Sequence, residues 1–311
     1  MINRISIGNK GWEKFWRFPK VGFSFAIVDY NMHQKPNDLG YTISVAPFFH
    51  GYFFNTSKWS ANYGFGFGAA FQTSFFDRID NYENNALGSR VTAAFSTDYK
   101  INYHISHHLT AHANFSLRHY SNGAIRLPNA GINILLWGLG VSYQPNYQPR
   151  YQRPDSTWKF KKRVRVNFEF GYNRKGIIDG DFAKYGVLTF GLYASKMVSK
   201  INSLVLGVDV CHDESTFEDA VVHKVIDRSS DIRPNGLSVF ASAGTELFIG
   251  RQASFTTLMG WHLYQDINVY GKFVHRHTLR WYIIDNLYIK GALKVYGFAA
   301  DSFDLGLGVR I

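Results

Sequence analysis

The stretch "WSANYGFGFGAAFQTSF", residues 59–75, alternates in character with a period of two. One parity carries aromatic or apolar side chains: Trp59, Ala61, Tyr63, Phe65, Phe67, Ala69 and Phe71. The other parity carries small or polar ones: Ser60, Asn62, Gly64, Gly66, Gly68, Ala70 and Gln72. Successive side chains of a β-strand point to opposite faces, so this stretch predicts a strand with one apolar face and one small, polar face.

The same alternation recurs along the whole chain and predicts about fourteen strands, with a range of roughly 12 to 16. Many of the segments reach about ten residues, which is longer than the usual globular strand of about 5 to 6 residues. The predicted strands lie near residues 21–31, 41–54, 58–76, 88–104, 108–121, 131–144, 163–174, 184–198, 203–212, 236–249, 252–265, 274–285, 287–297 and 301–311.

Two architectures have such strands: a soluble sandwich or barrel around an apolar core, and a membrane barrel with its apolar face outward. A membrane barrel needs strands of about 9 to 11 residues, aromatic girdles and a polar inner face. Here the face opposite the aromatics carries Arg, Lys, Asp, Glu, Asn and Gly. The pattern therefore favours an all-β fold, an antiparallel transmembrane β-barrel of the outer membrane.

Composition narrows the functional classes. The net charge is +11, but no nucleic-acid-binding motif accompanies it, and a basic surface also suits contact with phosphorylated lipid. Cys211 is the single cysteine, so no internal disulfide can form. Residues 1–20 lack the apolar core and the cleavage site of a signal peptide, and we expect a mature form or an incomplete N-terminus.

The predicted organisation has four parts: an N-terminal segment (1–20), a barrel half that carries the candidate site (21–144), a connector (145–162) and a second barrel half (163–311). The connector, "PNYQPRYQRPDSTWKFKK", is rich in Pro, Gln and Lys. Whether the halves form one barrel or two stays open. Since an open sheet edge in lipid leaves backbone groups unpaired, we expect strand 301–311 to pair with strand 21–31 or with one that the sequence lacks.

The connections alternate partly in length. Residues 55–57 and 104–108 are short, as periplasmic turns are, whereas 32–40, 77–87 and 122–130 are longer, as outer loops are. The histidines of "HISHH" (104–108) are expected to form a turn, and we predict no metal site because no acid or cysteine joins them.

The candidate site lies in "SLRHYSNGAIRLPNAGINILLWGLGVSY", residues 116–143. His119 and Ser121 share the parity of Phe115 and Leu117, and on the next strand Asn133 shares the parity of Leu135 and Trp137. If the two strands form a hairpin, the three polar side chains cluster on its lipid-facing side, at the outer end.

These residue types suit an activated serine. Ser121 would be the nucleophile, His119 the base that takes its proton, and Asn133 the group that orients the imidazole. No Asp or Glu occurs between Asp98 and Asp155. The loop residues Asn122, Gly123 and Asn129 are candidate oxyanion donors. Taken alone, the His–x–Ser pair also fits polar residues at a membrane interface.

The segment "HYSNGAIRLPNAGIN" (119–133) resembles the active-site segment of the lipid A 3-O-deacylase family, the PagL type. Six residues match the family motif in identity and spacing: His119, Ser121, Asn122, Pro128, Asn129 and Gly131. The family's glutamate falls at position 133, which is Asn here. "GWEKFWRFPKVGFSF" (11–25) and "GSRVTAAFSTDYKINYHISHHL" (88–109) are similar to the longer, acyloxyacyl hydrolase-like branch of Bacteroidetes-type genomes, and the resemblance covers residues 10–144 well.

The resemblance implies an outer-membrane serine esterase of a Gram-negative bacterium that removes an ester-linked acyl chain from lipid A of lipopolysaccharide, with no cofactor. The small family members carry the histidine on the seventh of eight strands, and it falls on the fifth predicted strand here, which implies that two strands precede the sequence. Asn133 keeps an alternative open: a non-catalytic structural or pore-forming barrel with a decayed site.

Overall fold

The structure is a computed structural model that describes residues 2–5, 13, 16, 18–145, 163–178, 183–199, 201–249, 252–297 and 299–311. Contacts divide the chain into two compact units. The first comprises residues 1–122 and 129–158, and the second comprises residues 123–128 and 159–311. Among the described residues, no helix is both long and apolar enough to cross a membrane.

The first unit is an antiparallel sheet of seven strands that follow one another in chain order, with β1 and β7 at its edges. The strands are β1 (Ile2–Ile5), β2 (Lys20–Asp29), β3 (Tyr41–Asn55), β4 (Trp59–Gln72), β5 (Val91–His104), β6 (Leu109–Ser121) and β7 (Ile132–Tyr143).

The two faces of this sheet differ as the alternation predicts. Phe25 and Trp137 are 61% and 85% exposed on the apolar face. The opposite face buries polar side chains that bond one another: Gln72 bonds Thr42 and donates to Thr92 at 2.9 Å. Buried polar groups need such partners because each unpaired one costs free energy.

The second unit is a closed antiparallel barrel of eight strands in the order β10-β11-β12-β13-β14-β15-β8-β9. Its strands are β8 (Val164–Lys175), β9 (Tyr185–Met197), β10 (Asn202–Asp213), β11 (Leu237–Ile249), β12 (Ala253–Gln265), β13 (Phe273–Ile284), β14 (Leu287–Tyr296) and β15 (Ala299–Arg310). A short helix, α1 (Thr216–Val222), lies in the connection between β10 and β11.

Charged side chains fill the interior of this barrel in pairs. Arg280 contacts Glu169 at 2.6 Å and Glu246 at 3.0 Å, and all three are fully buried. Arg276 similarly contacts Asp209 at 2.6 Å and Asp304 at 3.3 Å. A buried charge is tolerated when it is paired and hydrogen-bonded. The charged side chains of the inner face therefore pack against one another in this unit.

The predicted fold class, an all-β antiparallel transmembrane β-barrel, is confirmed. The expected closure is wrong: β15 pairs with β8, through partners such as Leu305 with Tyr172 and Val309 with Phe168. The barrel thus closes within the second half of the chain. β1 lies inside the segment 1–20, for which the alternation predicts no strand; residues 146–162 of the predicted connector lie outside the described residues.

The two ends of the first sheet differ in their connections. Residues 56–58 and 105–108 form short turns at one end, whereas residues 30–40, 73–90 and 122–131 form long loops at the other. In outer-membrane barrels the long loops lie outside and the short turns face the periplasm. The long-loop end, which carries Ser121, is therefore called the outer end, and the short-turn end is called the periplasmic end.

The paired interior of the second unit yields a stability prediction. Arg280→Met leaves the carboxylates of Glu169 and Glu246 buried with one fewer cation, and breaking a buried pair costs about 3–5 kcal/mol. We expect a clearly lower urea midpoint for the unfolding of the full chain in detergent, followed by tryptophan fluorescence.

Arg228→Met is the matched control, because the exposed guanidinium of Arg228 pairs with Glu218 on the surface. We expect it to leave the midpoint unchanged, since exposed ion pairs contribute little. Equal midpoints for wild type and Arg280→Met would contradict the stabilising role of the interior pairs.

Candidate functional site

The candidate site lies at the outer end of the β6–β7 hairpin. The strands pair antiparallel, as the sequence predicts, and the register places Phe115 opposite Trp137 and His119 opposite Asn133. Phe115 and Trp137 are exposed, so the parity of His119 and Asn133 places both on the apolar, outward face.

His119 and Asn133 are joined by a hydrogen bond of 2.8 Å between Nδ1 and Oδ1. Because an amide oxygen only accepts, Nδ1 of the neutral imidazole carries the proton and Nε2 is left as the basic nitrogen. Asn133 thus fixes the tautomer that a general base requires. A neutral amide orients the ring, but it supplies no negative charge to stabilise an imidazolium.

Ser121 is the last residue of β6, and its hydroxyl contacts the side chain of Asn129. Nδ2 of Asn129 donates to Oγ of Ser121 at 3.1 Å, and Oδ1 of Asn129 accepts from the backbone N–H of Asn122 at 2.9 Å. Although Ser121 has the parity of the lipid-facing residues, it is only 8% exposed. One amide therefore bridges the hydroxyl and the start of the loop.

Gly131 makes room for the imidazole. Its φ is +76°, a conformation that residues with a side chain rarely adopt. A Cβ atom there would lie 2.9 Å from Cε1 of His119 and 3.2 Å from the carbonyl oxygen of Tyr120. The glycine thus lets the loop return into β7 while the ring of His119 stays beside it.

The neighbouring loop, residues 73–90, forms hydrogen bonds with the loop that carries the site. Asn85 and Ala86 accept hydrogen bonds through their carbonyl oxygens from the N–H groups of Ala130 (3.2 Å) and Gly131 (2.9 Å). Oγ of Ser89 accepts from Nδ2 of Asn122 at 3.0 Å. Sequence reasoning missed these contacts, since carbonyl groups occur at every residue and carry no signal in the alternation.

The loop 73–90 is itself held in place by Asn81, which is buried. Its amide donates to the carbonyl oxygens of Asp38 (2.8 Å) and Phe75 (2.9 Å), and its Oδ1 accepts from the N–H of Asp38. Asn84 donates to the same carbonyl oxygen of Asp38 at 2.9 Å. These bonds link two outer loops of the first unit, residues 30–40 and 73–90.

The predicted site residues thus fall into two bonded groups: His119 with Asn133, and Ser121 with Asn122 and Asn129. Gly123 follows Asn122 directly with φ +62°, and its contacts place it with the second unit. The catalytic and oxyanion roles of these residues stay predictions.

One group of three carboxylates in the described part of the chain has the spacing of metal ligands: Asp213, Asp219 and Asp301. The ammonium group of Lys175 lies among them, at 2.8, 3.1 and 2.9 Å respectively. A protein cation therefore already occupies the position that a metal ion would take.

Comparison with protein families gives two matches that together span most of the chain. Residues 4–142 match the family described as lipid A 3-O-deacylase (PagL). Residues 163–311 match the family described as acyloxyacyl hydrolase, C-terminal domain. None of the curated proteins compared matches the chain significantly.

Solved structures similar to the chain include a protein from "De novo design of transmembrane beta-barrels", at 10% identity and a TM-score of 0.33, covering 50% of this chain and 100% of that one. A Pseudomonas aeruginosa FadL homologue is 8% identical with a TM-score of 0.20, covering 100% of this chain and 96% of that one. Scores this low carry no argument about function.

The contact between Gly131 and His119 gives a prediction for the site. Gly131→Ala forces a positive φ on alanine and drives Cβ toward the imidazole, so His119 should leave Asn133. We expect labelling of Ser121 by a fluorophosphonate probe to slow by at least about tenfold, because general base catalysis is worth about 10²–10⁴-fold.

Gly138→Ala is the matched control. Its Cβ would meet only the flexible side chain of Asn114, whose Oδ1 lies 3.3 Å away. Labelling at the wild-type rate in Gly131→Ala, with the protein folded, would contradict the positioning role of Gly131.

Proposed function

Because the chain belongs to the lipid A 3-O-deacylase (PagL) family, we propose that it removes an ester-linked acyl chain from lipid A of lipopolysaccharide, with Ser121 as the nucleophile. The observation that carries this proposal is the pair of bonded groups at the outer end of β6: His119 held by Asn133, and Ser121 held by Asn129. We place the enzyme in the outer membrane of a Gram-negative bacterium.

The chemistry follows from the donors and acceptors of these side chains. Nε2 of His119 takes the proton of the Ser121 hydroxyl as Oγ attacks the ester carbonyl carbon. The carbonyl oxygen becomes an oxyanion, and Nδ2 of Asn129, which now donates to Oγ at 3.1 Å, can donate to it, together with groups of Asn122.

The tetrahedral intermediate then collapses. The bond between the carbonyl carbon and the sugar oxygen breaks, and the imidazolium of His119 gives its proton to that oxygen. The acyl chain stays on Ser121 until a water molecule, deprotonated by His119, attacks the carbonyl carbon of the acyl-enzyme. The bond from that carbon to Oγ then breaks, His119 returns the proton to Oγ, and a fatty acid is released. The protein needs no cofactor for these steps.

The outward placement of the site supports this choice of substrate. His119 and Asn133 lie on the face that exposes Phe115, Leu135 and Trp137, so an acyl chain can approach through the hydrocarbon phase. Lipid A, whose acyl chains lie in the outer leaflet, meets the site directly.

Substitution of the nucleophile and the base tests the reaction. We expect Ser121→Ala and His119→Ala each to abolish the loss of an acyl chain from lipid A, measured by mass spectrometry of lipid A from cells with and without the protein. The two losses should be similar in size, because residues that act as a unit are not additive.

His112→Ala and Ser142→Ala are the matched controls. These two side chains form another histidine–serine contact (3.2 Å) in the same hairpin, at its periplasmic end. Both variants should keep wild-type activity. If lipid A is identical in cells that express wild type, Ser121→Ala or no protein, the proposed reaction is wrong.

Position 133 offers a gain-of-function test. Asn133→Glu replaces a neutral acceptor with a carboxylate, whose charge-assisted bond stabilises the imidazolium by about 1–2 kcal/mol more. We expect kcat to rise about 5- to 30-fold with KM unchanged. Asn133→Gln is the control for chain length, and a kcat that stays equal in both variants would show that the amide suffices.

A further inference from the structure

Arg90 lies at the outer end of the first sheet, directly before β5. Its guanidinium group lies over two aromatic rings, 5.7 Å from the centroid of Phe71 and 5.2 Å from that of Phe75. Phe71 is exposed on the apolar face of β4, and Arg90 is exposed too. The side chain is therefore held against the outward face, where the cation is attracted to the faces of both rings.

The backbone around Arg90 is fixed to the sheet and to the candidate site. The N–H of Gln72 donates to the carbonyl oxygen of Arg90 at 2.7 Å. The preceding residue, Ser89, accepts the hydrogen bond from Asn122, the neighbour of Ser121 in the chain. The position of Arg90 relative to the site is therefore set by two bonded connections.

Strand register gives the separation. Ala93 of β5 lies directly opposite Ser121, and Arg90 lies three residues before Ala93. At about 3.3 Å per residue, the Cα atom of Arg90 is roughly 10 Å further toward the outer rim than that of Ala93. A lipid whose ester bond is at Ser121 thus brings its headgroup to the level of Arg90.

Within the described residues, the guanidinium of Arg90 forms no ion pair with a carboxylate. The ion pairs of the first unit, within the described residues, join Lys35 to Asp80 and involve the imidazoles of His33 and His50, but none involves Arg90. Lys35, in a neighbouring outer loop, is by contrast held by Asp80 at 3.1 Å. An exposed arginine that is positioned by aromatic rings but unpaired has its donors available to an anion.

We propose that Arg90 binds a phosphate group of the lipid substrate and so determines specificity for phosphorylated lipid; this inference rests on the proposed function. The planar guanidinium presents paired N–H donors that match phosphate oxygens, which an ammonium group does not. Its place at the rim lets the charged end reach the headgroup while its stem stays on Phe71 and Phe75. The net charge of +11 agrees with an anionic lipid surface.

The test compares one lipid A in its phosphorylated and its enzymatically dephosphorylated form, with identical acyl chains, as substrates of the full chain in detergent. We expect Arg90→Gln to raise KM for the phosphorylated form about tenfold, equal to about 1.4 kcal/mol, with kcat unchanged. The dephosphorylated form should be hydrolysed equally by wild type and Arg90→Gln. Arg90→Lys should show an intermediate KM, because it keeps the charge but not the paired donors.

Lys58→Gln is the matched control, since Lys58 is an exposed cation in the turn 56–58 at the periplasmic end of the same sheet. It removes the same charge and should leave both KM values unchanged. Equal loss on both lipids in Arg90→Gln would show a merely structural role, and an unchanged KM would show no contact with phosphate. Either result overturns the proposal.

Inorganic phosphate at constant ionic strength distinguishes two sources of the recognised group. Competition that is present in wild type and absent in Arg90→Gln supports recognition of a phosphate group by itself. A KM difference without competition supports recognition of phosphate only when a lipid presents it.

Binding of both lipids to the same variants, measured by native mass spectrometry, does not require turnover. If no protein hydrolyses lipid A, the proposed function fails, and phosphate-dependent binding that is weaker in Arg90→Gln still supports the contact. Equal binding of the phosphorylated lipid by wild type and Arg90→Gln rejects it.

Discussion

Backbone N–H and C=O groups inside a lipid bilayer find no water, so each unpaired group costs free energy and a closed ring of paired strands avoids that cost. This constraint explains the long antiparallel strands and the closure of the second unit, where β8 receives β15. It also sets the arrangement of side chains, because a strand that is paired on both sides offers only its two faces. One face meets lipid, and the other must accommodate every polar side chain of the strand.

In the second unit, the polar inner face consists largely of side chains of opposite charge that pair with one another. Arg280 lies between Glu169 and Glu246, and Arg276 lies between Asp209 and Asp304, so that each buried ion has partners within hydrogen-bond distance. The inner face of the first unit includes neutral groups that bond one another, such as Thr42, Gln72 and Thr92. In both units the polar residues of the alternation bond one another, away from lipid.

The candidate site is a local exception to this separation, because it places polar side chains on the apolar face. His119 and Asn133 are polar residues on the apolar face, and they bond each other. They lie at the outer end, next to loops that supply further partners, where the cost of polar groups at a lipid surface falls. A reaction on an acyl ester needs polar side chains beside hydrocarbon, which a strand end at the membrane interface provides. The amide at position 133 keeps the geometry of an orienting group without its charge.

The sequence by itself determined the strands, their faces and the pairing of His119 with Asn133, because a period of two and a hairpin loop act locally. It did not determine the partner of β15, since every strand with this alternation presents the same backbone groups to a neighbour. It also missed the burial of Ser121 under Asn129 and the carbonyl groups of the 73–90 loop that hold Gly131. Those contacts join segments far apart in the chain through backbone groups and loop conformations, which only the tertiary structure brings together.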